Sequence, residues 1–336
     1  MFFVKLEETF NVVKTLRRFV GTLALGLVTL VSLPATAGPF TGLYIFGDSL
    51  SDTGNLSIAT GGAQPPAGQP YFNGRFSNGP VWVETLAAGL GLSSNVLPSL
   101  AGGNNYAFAG ARTGTSSSPP GVLAQVAGLW APTHPTADAN ALYVVVGGGN
   151  DLRDGRAAGS TAASRQAAAQ AAATNLFNSI ALIAGSGAKH VLIANVPDLG
   201  FTPEAALLGL VANSADISQR FNLLIAGLEG ALESLFTGLD VDFLDLNAIG
   251  AAVRQDALTN GGALFGITNV TSPCAGFQFS NGAACNVSLF SDALHPSARA
   301  HQLIGQRALD AVLPVPGSVW LAGLALGALV LVRRRA

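Results

Sequence analysis

Short apolar runs alternate with segments of helical period along the middle of the chain. Leu43–Phe46, Asn105–Phe108, Leu142–Val146, His190–Asn195 and Val241–Leu246 are brief and rich in β-branched, aromatic or aliphatic residues, which predicts strands. Between them, helices are predicted near Val81–Gly89, Val122–Trp130, Thr161–Ala184, Asp216–Phe236 and Ser297–Val312. The third is rich in Ala, the best helix former, and the fourth sets Ile217, Phe221, Leu224, Ile225 and Leu228 on one face. Apolar strands separated by helices imply a parallel sheet covered on both sides, in an α/β fold. Active sites of such sheets form beyond the C-terminal ends of the strands.

Both ends of the chain have a different pattern. Lys14, Arg17 and Arg18 precede an apolar run from Phe19 to Leu33, and Ala35-Thr36-Ala37 follows with small residues. Residues 1–37 are therefore expected to be a signal peptide for Sec export, with the mature chain starting near Gly38; an uncleaved anchor is the alternative. At the far end, Pro314-Val315-Pro316 leads into an apolar run from Val319 to Val332 closed by Arg333, Arg334 and Arg335. Residues 314–336 read as a tail with a short membrane segment and a cytoplasmic basic end. One domain, 38–313, is left between them.

Charged residues make up only 11% of the chain, and Gly is abundant, which suits an exported globular protein better than a disordered one. Setting the two ends aside leaves ten Lys and Arg against seventeen Asp and Glu. The central domain is thus acidic, which disfavours nucleic acid as a partner and limits membrane contact to the terminal segments.

Candidate chemistry begins where the first strand breaks into Gly47-Asp48-Ser49. A serine hydroxyl is a poor nucleophile unless a base and oxyanion donors accompany it. Gly110, ending the second strand, offers a backbone N–H with no side chain in the way, and Asn150, after Gly147-Gly148-Gly149, offers a side-chain amide. Asp292 lies three residues before His295, close enough to bind one ring nitrogen while the other faces Ser49. Pro296 suits the first turn of the last helix, while His134, His190 and His301 are assigned structural or surface roles. Asp48 suits hydrogen bonding within the turn.

Ser49, Gly110, Asn150 and His295 stand in motifs reading Phe-Gly-Asp-Ser-Leu-Ser-Asp-Thr-Gly-Asn, Asn-Tyr-Ala-Phe-Ala-Gly-Ala, Gly-Gly-Asn-Asp-Leu and Asp-Ala-Leu-His-Pro. In these blocks and their order the chain resembles the GDSL lipases and esterases, or SGNH hydrolases, over about Leu43 to Leu313. Gly74–Glu84 and Asn195–Gly200 look like the phospholipase and haemolysin-like branch. The resemblance implies a flavodoxin-like three-layer α/β/α sandwich around a five-stranded parallel sheet. It also implies Ser49 as nucleophile and first oxyanion donor, Gly110 and Asn150 as the other donors, and Asp292 and His295 as acid and base. The tail resembles the PEP-CTERM sorting signal, with Pro-Val-Pro in place of Pro-Glu-Pro, which implies processing by an exosortase-like protease at the surface of a Gram-negative bacterium.

Around the site, Asn78 or Ser77 is expected to cap the helix entered at Pro80, and Trp82 to pack beneath the serine. Arg75 is expected to touch substrate or pair with Asp52. Cys274 and Cys285 are the only cysteines, and export favours a disulfide over a free-thiol pair. They do not make a metal site without histidine or carboxylate at ligand spacing, and no cofactor is implied. The expected product is an exported esterase or lipase acting on lipid, short-chain or glycan esters. An acyltransferase, a carbohydrate deacetylase and a surface matrix protein of vestigial activity remain alternatives.

Overall fold

The computed structural model describes residues 40–313, so the leader and tail assignments fall outside the described residues. In chain order the elements are β1 (Leu43–Phe46), α1 (Asn55–Ala59), α2 (Trp82–Leu90), β2 (Leu142–Val145), α3 (Gly149–Gly155), α4 (Ala162–Gly185), β3 (His190–Ala194), α5 (Pro203–Leu207), α6 (Val211–Ile225), α7 (Leu228–Leu235), β4 (Asp240–Leu244), α8 (Leu246–Asn260), β5 (Asn269–Pro273), β6 (Ser288–Phe290) and α9 (Ala298–Val312). Strands β1 to β4 form a parallel sheet in that order.

The fifth expected strand is present only as an irregular edge. Ile45 N–H donates to Asn104 O at 3.0 Å, Tyr106 N–H to Ile45 O at 2.7 Å and Phe108 N–H to Gly47 O at 3.1 Å. On its other edge the segment bonds the 97–99 turn, through Ser99 N–H to Asn105 O and Asn105 N–H to Leu97 O. Counting this edge, the spatial order in chain terms is 2-1-3-4-5, the doubly wound flavodoxin-like order, with the direction of winding changing beside β1.

Residues alternate between two cores. Leu43, Ile45, Leu142, Val144, Leu192, Ala194 and Leu244 face α2 and α9, whereas Phe46, Tyr143, Val145, Val191, Ile193 and Val241 face α4, α6 and α7. Both sides are apolar, which is why these strands read as continuous apolar runs and not as alternating ones. Helix α4 forms as its Ala-rich sequence predicts, capped by the Thr161 hydroxyl, and buries Ala169, Ala172, Ala173, Leu176, Ile180 and Ile183.

Three helical expectations change. The Asp216–Phe236 helix starts earlier and breaks between α6 and α7 at Ala226-Gly227, where glycine carries a helix-propensity penalty. Val122–Trp130 is a single helical turn that widens into a π-helical segment over Gln125–Trp130. Pro296 lies before α9, not in it, because Ser297 is the N-cap and accepts from Ala300 N–H at 3.2 Å.

Candidate active site

Ser49 sits on the turn that follows β1, closed by Ser51 N–H and Asp52 N–H donating to Asp48 O. The turn's entrance is clamped by Gln125, a buried side chain that accepts from Gly47 N–H and donates to Gly47 O, both at 2.8 Å. Trp82 lies beneath it as expected, its ring N–H reaching Ser51 Oγ at 3.2 Å. His295, on the loop before α9, places Nε2 2.9 Å from Ser49 Oγ and Nδ1 2.7 Å from Asp292 Oδ2. A carboxylate only accepts, so Nδ1 carries the proton and Nε2 presents a lone pair to the serine hydroxyl.

Asp292 is ionised by its surroundings. Burial alone would raise its carboxyl pKa, but the His295 charge and the hydrogen bonds override burial and hold it well below the usual carboxylate range. Its Oδ1 accepts from Leu294 N–H at 2.8 Å and His295 N–H at 2.6 Å, and Tyr71 O–H donates to Oδ2 at 2.7 Å. Asp48, by contrast, is pushed up to about 6, chiefly by burial, and its Oδ1 accepts from Leu50 N–H. It serves the turn, as the sequence indicates.

The donor side is built by two further turns. Gly110 has φ +81° and Gly148 φ +109°, and a Cβ on Gly148 would lie 2.5 Å from Phe221 Cζ, so both positions require glycine. Gly148 caps α3, which places Asn150 in that helix's first turn. Asn150 Nδ2 donates to Ala111 O at 2.9 Å. Among the described residues, Ser49 N–H, Gly110 N–H and the second Asn150 amide N–H have no hydrogen-bond partner. Asp52 ties the serine turn to the glycine turn by accepting from Gly54, Asn55, Leu56 and Ala109 N–H groups. Asp151 ties α3 to the same turn through Thr113 N–H and Oγ1.

Ser49, Gly110, Asn150, Asp292 and His295 all line one open cavity of about 390 Å³. A second, smaller cavity of about 130 Å³ also starts at Ser49 and His295 and is walled by Leu50, Val196, Leu199, Ile249 and Val253. Arg254 and Phe201 stand in its wall, the guanidinium 3.5 Å above the ring centre. The arrangement can deprotonate a hydroxyl, hold a developing oxyanion by three N–H groups and divide an ester between an apolar slot and a wider cleft.

The model of the GDSL-like lipase/acylhydrolase family matches residues 43–308. The chain belongs to that family. A phosphatidylcholine-sterol acyltransferase of Aeromonas hydrophila is 28% identical over 76% of this chain and 72% of its own length. An uncharacterized protein from the trpE-trpG intergenic region of Pseudomonas putida is 29% identical over 84% of this chain, which spans only 50% of that relative. The crystal structure of a lipolytic G-D-S-L protein from Veillonella parvula aligns at 15% identity with a TM-score of 0.42, covering 82% of this chain and 99% of that one.

All five residues expected from the GDSL motifs converge on this cavity, and Cys274 and Cys285 form a disulfide. Several neighbours differ from expectation. Arg75 pairs with Glu84 at 2.8 Å and not with Asp52, whose carboxylate is occupied by backbone N–H groups. Ser77 and Asn78 do not cap α2; Ser77 Oγ donates to Pro296 O, and Asn78 Oδ1 accepts from Ala298 N–H at 2.9 Å, so both anchor the entrance to α9. The N-terminus of α2 is satisfied instead by Glu84, which accepts from Val81 N–H. His301 is buried, its Nδ1 accepting from Trp82 N–H. Sequence reasoning missed Tyr71, Gln125 and the Arg153/Glu204 pair, whose partners lie 51 to 221 residues away and leave no local signature. No group of three or more His, Cys, Asp or Glu able to hold a metal occurs among the described residues.

Proposed function

We propose that this chain is an exported serine esterase that hydrolyses carboxylic esters through an acyl-enzyme. The observation that carries the reading is the unbroken Asp292, His295 and Ser49 hydrogen-bond chain facing three unpaired N–H donors across one cavity. Ser49 Oγ attacks the ester carbonyl carbon as His295 Nε2 takes its proton, and Asp292 stabilises the imidazolium formed. The oxyanion is held by Ser49 N–H, Gly110 N–H and Asn150 Nδ2–H. Collapse expels the alcohol, which takes the proton from His295; water, deprotonated by His295 in turn, then releases the acid. The apolar slot takes the acyl chain, and the open cleft takes the alcohol.

Export is part of the proposal. It rests on the charged, apolar and small-residue order of 1–37 and on the disulfide, a bond that persists in oxidising compartments. Processing of 314–336 by an exosortase-like protease is proposed on the tail pattern alone. A second reading, acyl transfer to an acceptor alcohol, is favoured by the name of the Aeromonas relative. It predicts that added alcohols divert acyl groups into new esters at the expense of free acid.

Ser49→Ala is expected to abolish turnover of p-nitrophenyl acetate and labelling by a fluorophosphonate while leaving the melting temperature nearly unchanged. Asn150→Ala is expected to cost about 100-fold in kcat, the usual loss for one oxyanion donor. Normal turnover by Ser49→Ala overturns the reading, and failure of the wild-type protein to label indicates a vestigial site.

A further inference from the structure

An asparagine donates to an oxyanion only if its amide plane and its flip are fixed, because rotation about the terminal side-chain torsion is broad. Asn150 is held at two points of opposite polarity. Its Nδ2 donates to Ala111 O at 2.9 Å, and its Oδ1 accepts from Arg153 Nη1 at 3.2 Å. The flipped amide would set oxygen against the Ala111 carbonyl and NH2 against a guanidinium, two repulsive pairs. With two corners of the amide fixed, the remaining N–H has one direction left.

Arg153 is itself fixed from outside the helix. It lies three residues beyond Asn150 on α3 and grips Glu204 of α5 in a bidentate pair, Nε to Oε2 at 3.0 Å and Nη2 to Oε1 at 2.5 Å. Glu204 does not need Arg153 for charge balance, since Arg156, only 2% exposed, also donates to Oε2 and anchors to Ser214 Oγ at 3.0 Å. The backbone of Glu204 donates to Ala293 O at 2.7 Å, in the loop between Asp292 and His295. One glutamate thus touches both halves of the site, through Arg153 on the donor side and through its own backbone on the acid-base side.

We propose that Arg153, held by Glu204, is a positioning residue that orients and polarises the Asn150 amide for oxyanion binding. The guanidinium contact to Oδ1 draws electron density from the amide and strengthens the remaining N–H as a donor, as linked hydrogen bonds do. The proposal rests on the reading of Asn150 as an oxyanion donor.

A kinetic double-mutant cycle on the full-length protein tests it, with p-nitrophenyl acetate as probe and thermal unfolding alongside. Arg153→Met, at a side chain about one-third exposed, is expected to fold, to lower kcat about 10-fold and to leave KM within about twofold. Arg153→Lys, which keeps the charge but not the fork, is expected to recover part of the loss. In the Asn150→Ala background the same Arg153→Met change is expected to have no further effect, because the group it orients is gone. An equal loss in both backgrounds overturns the proposal, as does a change confined to KM, which marks direct substrate contact. Unchanged kcat in Arg153→Met while Asn150→Ala remains about 100-fold impaired defeats the proposal alone, whereas an active Asn150→Ala enzyme defeats the oxyanion reading with it.

Discussion

On the proposed placement of the acyl chain, the apolar slot beside Ser49 is expected to limit its length. The slot, at about 130 Å³ and walled mainly by apolar side chains, has room for several methylenes beyond the ester carbonyl, and a medium-length acyl chain such as octanoate is expected to fill it. Each buried methylene contributes about 0.8 kcal/mol, close to fourfold in kcat/KM, before the cost of ordering the chain is deducted. Roughly two- to threefold per methylene remains, so octanoate should exceed acetate by about 100-fold or more, and longer chains should gain nothing further.

Initial rates on p-nitrophenyl esters from acetate to laurate measure this directly, below the concentrations at which the longer esters form micelles. Ile249→Trp tests the assignment, because Ile249 lines the slot from α8 and is absent from the wide cleft. The larger ring should take up several methylene positions, lowering decanoate turnover by about tenfold or more while acetate turnover changes far less. A flat chain-length profile in the wild-type protein, or a parallel loss at every length in Ile249→Trp, refutes the placement of the acyl chain.

Two further outcomes concern stability. The Cys274–Cys285 bond spans 11 residues, for which loop entropy predicts about 3 kcal/mol, or about 5 °C in a domain of this size; calorimetry of Cys285→Ser showing no drop would contradict this. His301 is pushed down to about 3 by burial and then by the His295 charge. It is therefore neutral in the folded protein, whereas the unfolded chain takes up a proton near pH 6.5, so stability is lost as pH falls from about 6.5 towards 3. By pH 4.5 the loss is about 3 kcal/mol. His301→Asn keeps an acceptor for Trp82 N–H but does not titrate, and its melting temperature should fall less steeply with acid. Parallel curves for variant and wild type would exclude the buried histidine as the cause.

What the sequence made legible follows from how locally each feature is encoded. Strands β1, β2 and β3 were readable because burial on both faces forces unbroken apolar runs, and Ser49, Gly110, Asn150 and His295 because each needs a short turn of fixed chemistry at a strand end or helix entrance. The 104–108 edge reads as a full strand because its apolar residues pack, but only three hydrogen bonds tie it to the 45–47 segment. The glycine run before Asn150 marks the end of a strand but not the helix that starts at Gly149, and the close approach of Phe221 that makes Gly148 obligatory comes from a distant part of the chain. Orientation is encoded differently. Tyr71 reaches Asp292 across 221 residues and Arg153 reaches Glu204 across 51, so no window of sequence contains either pair. The slot is the extreme case, with Leu50, Val196, Ile249 and Val253 coming from three regions of the chain and each replaceable by another apolar residue. Bond-breaking chemistry demands particular side chains at particular turns and so leaves motifs, whereas substrate selection demands only a shape. That asymmetry explains why the family and its candidate catalytic residues are legible in the sequence, whereas any preference for acyl chain length must be argued from the cavity.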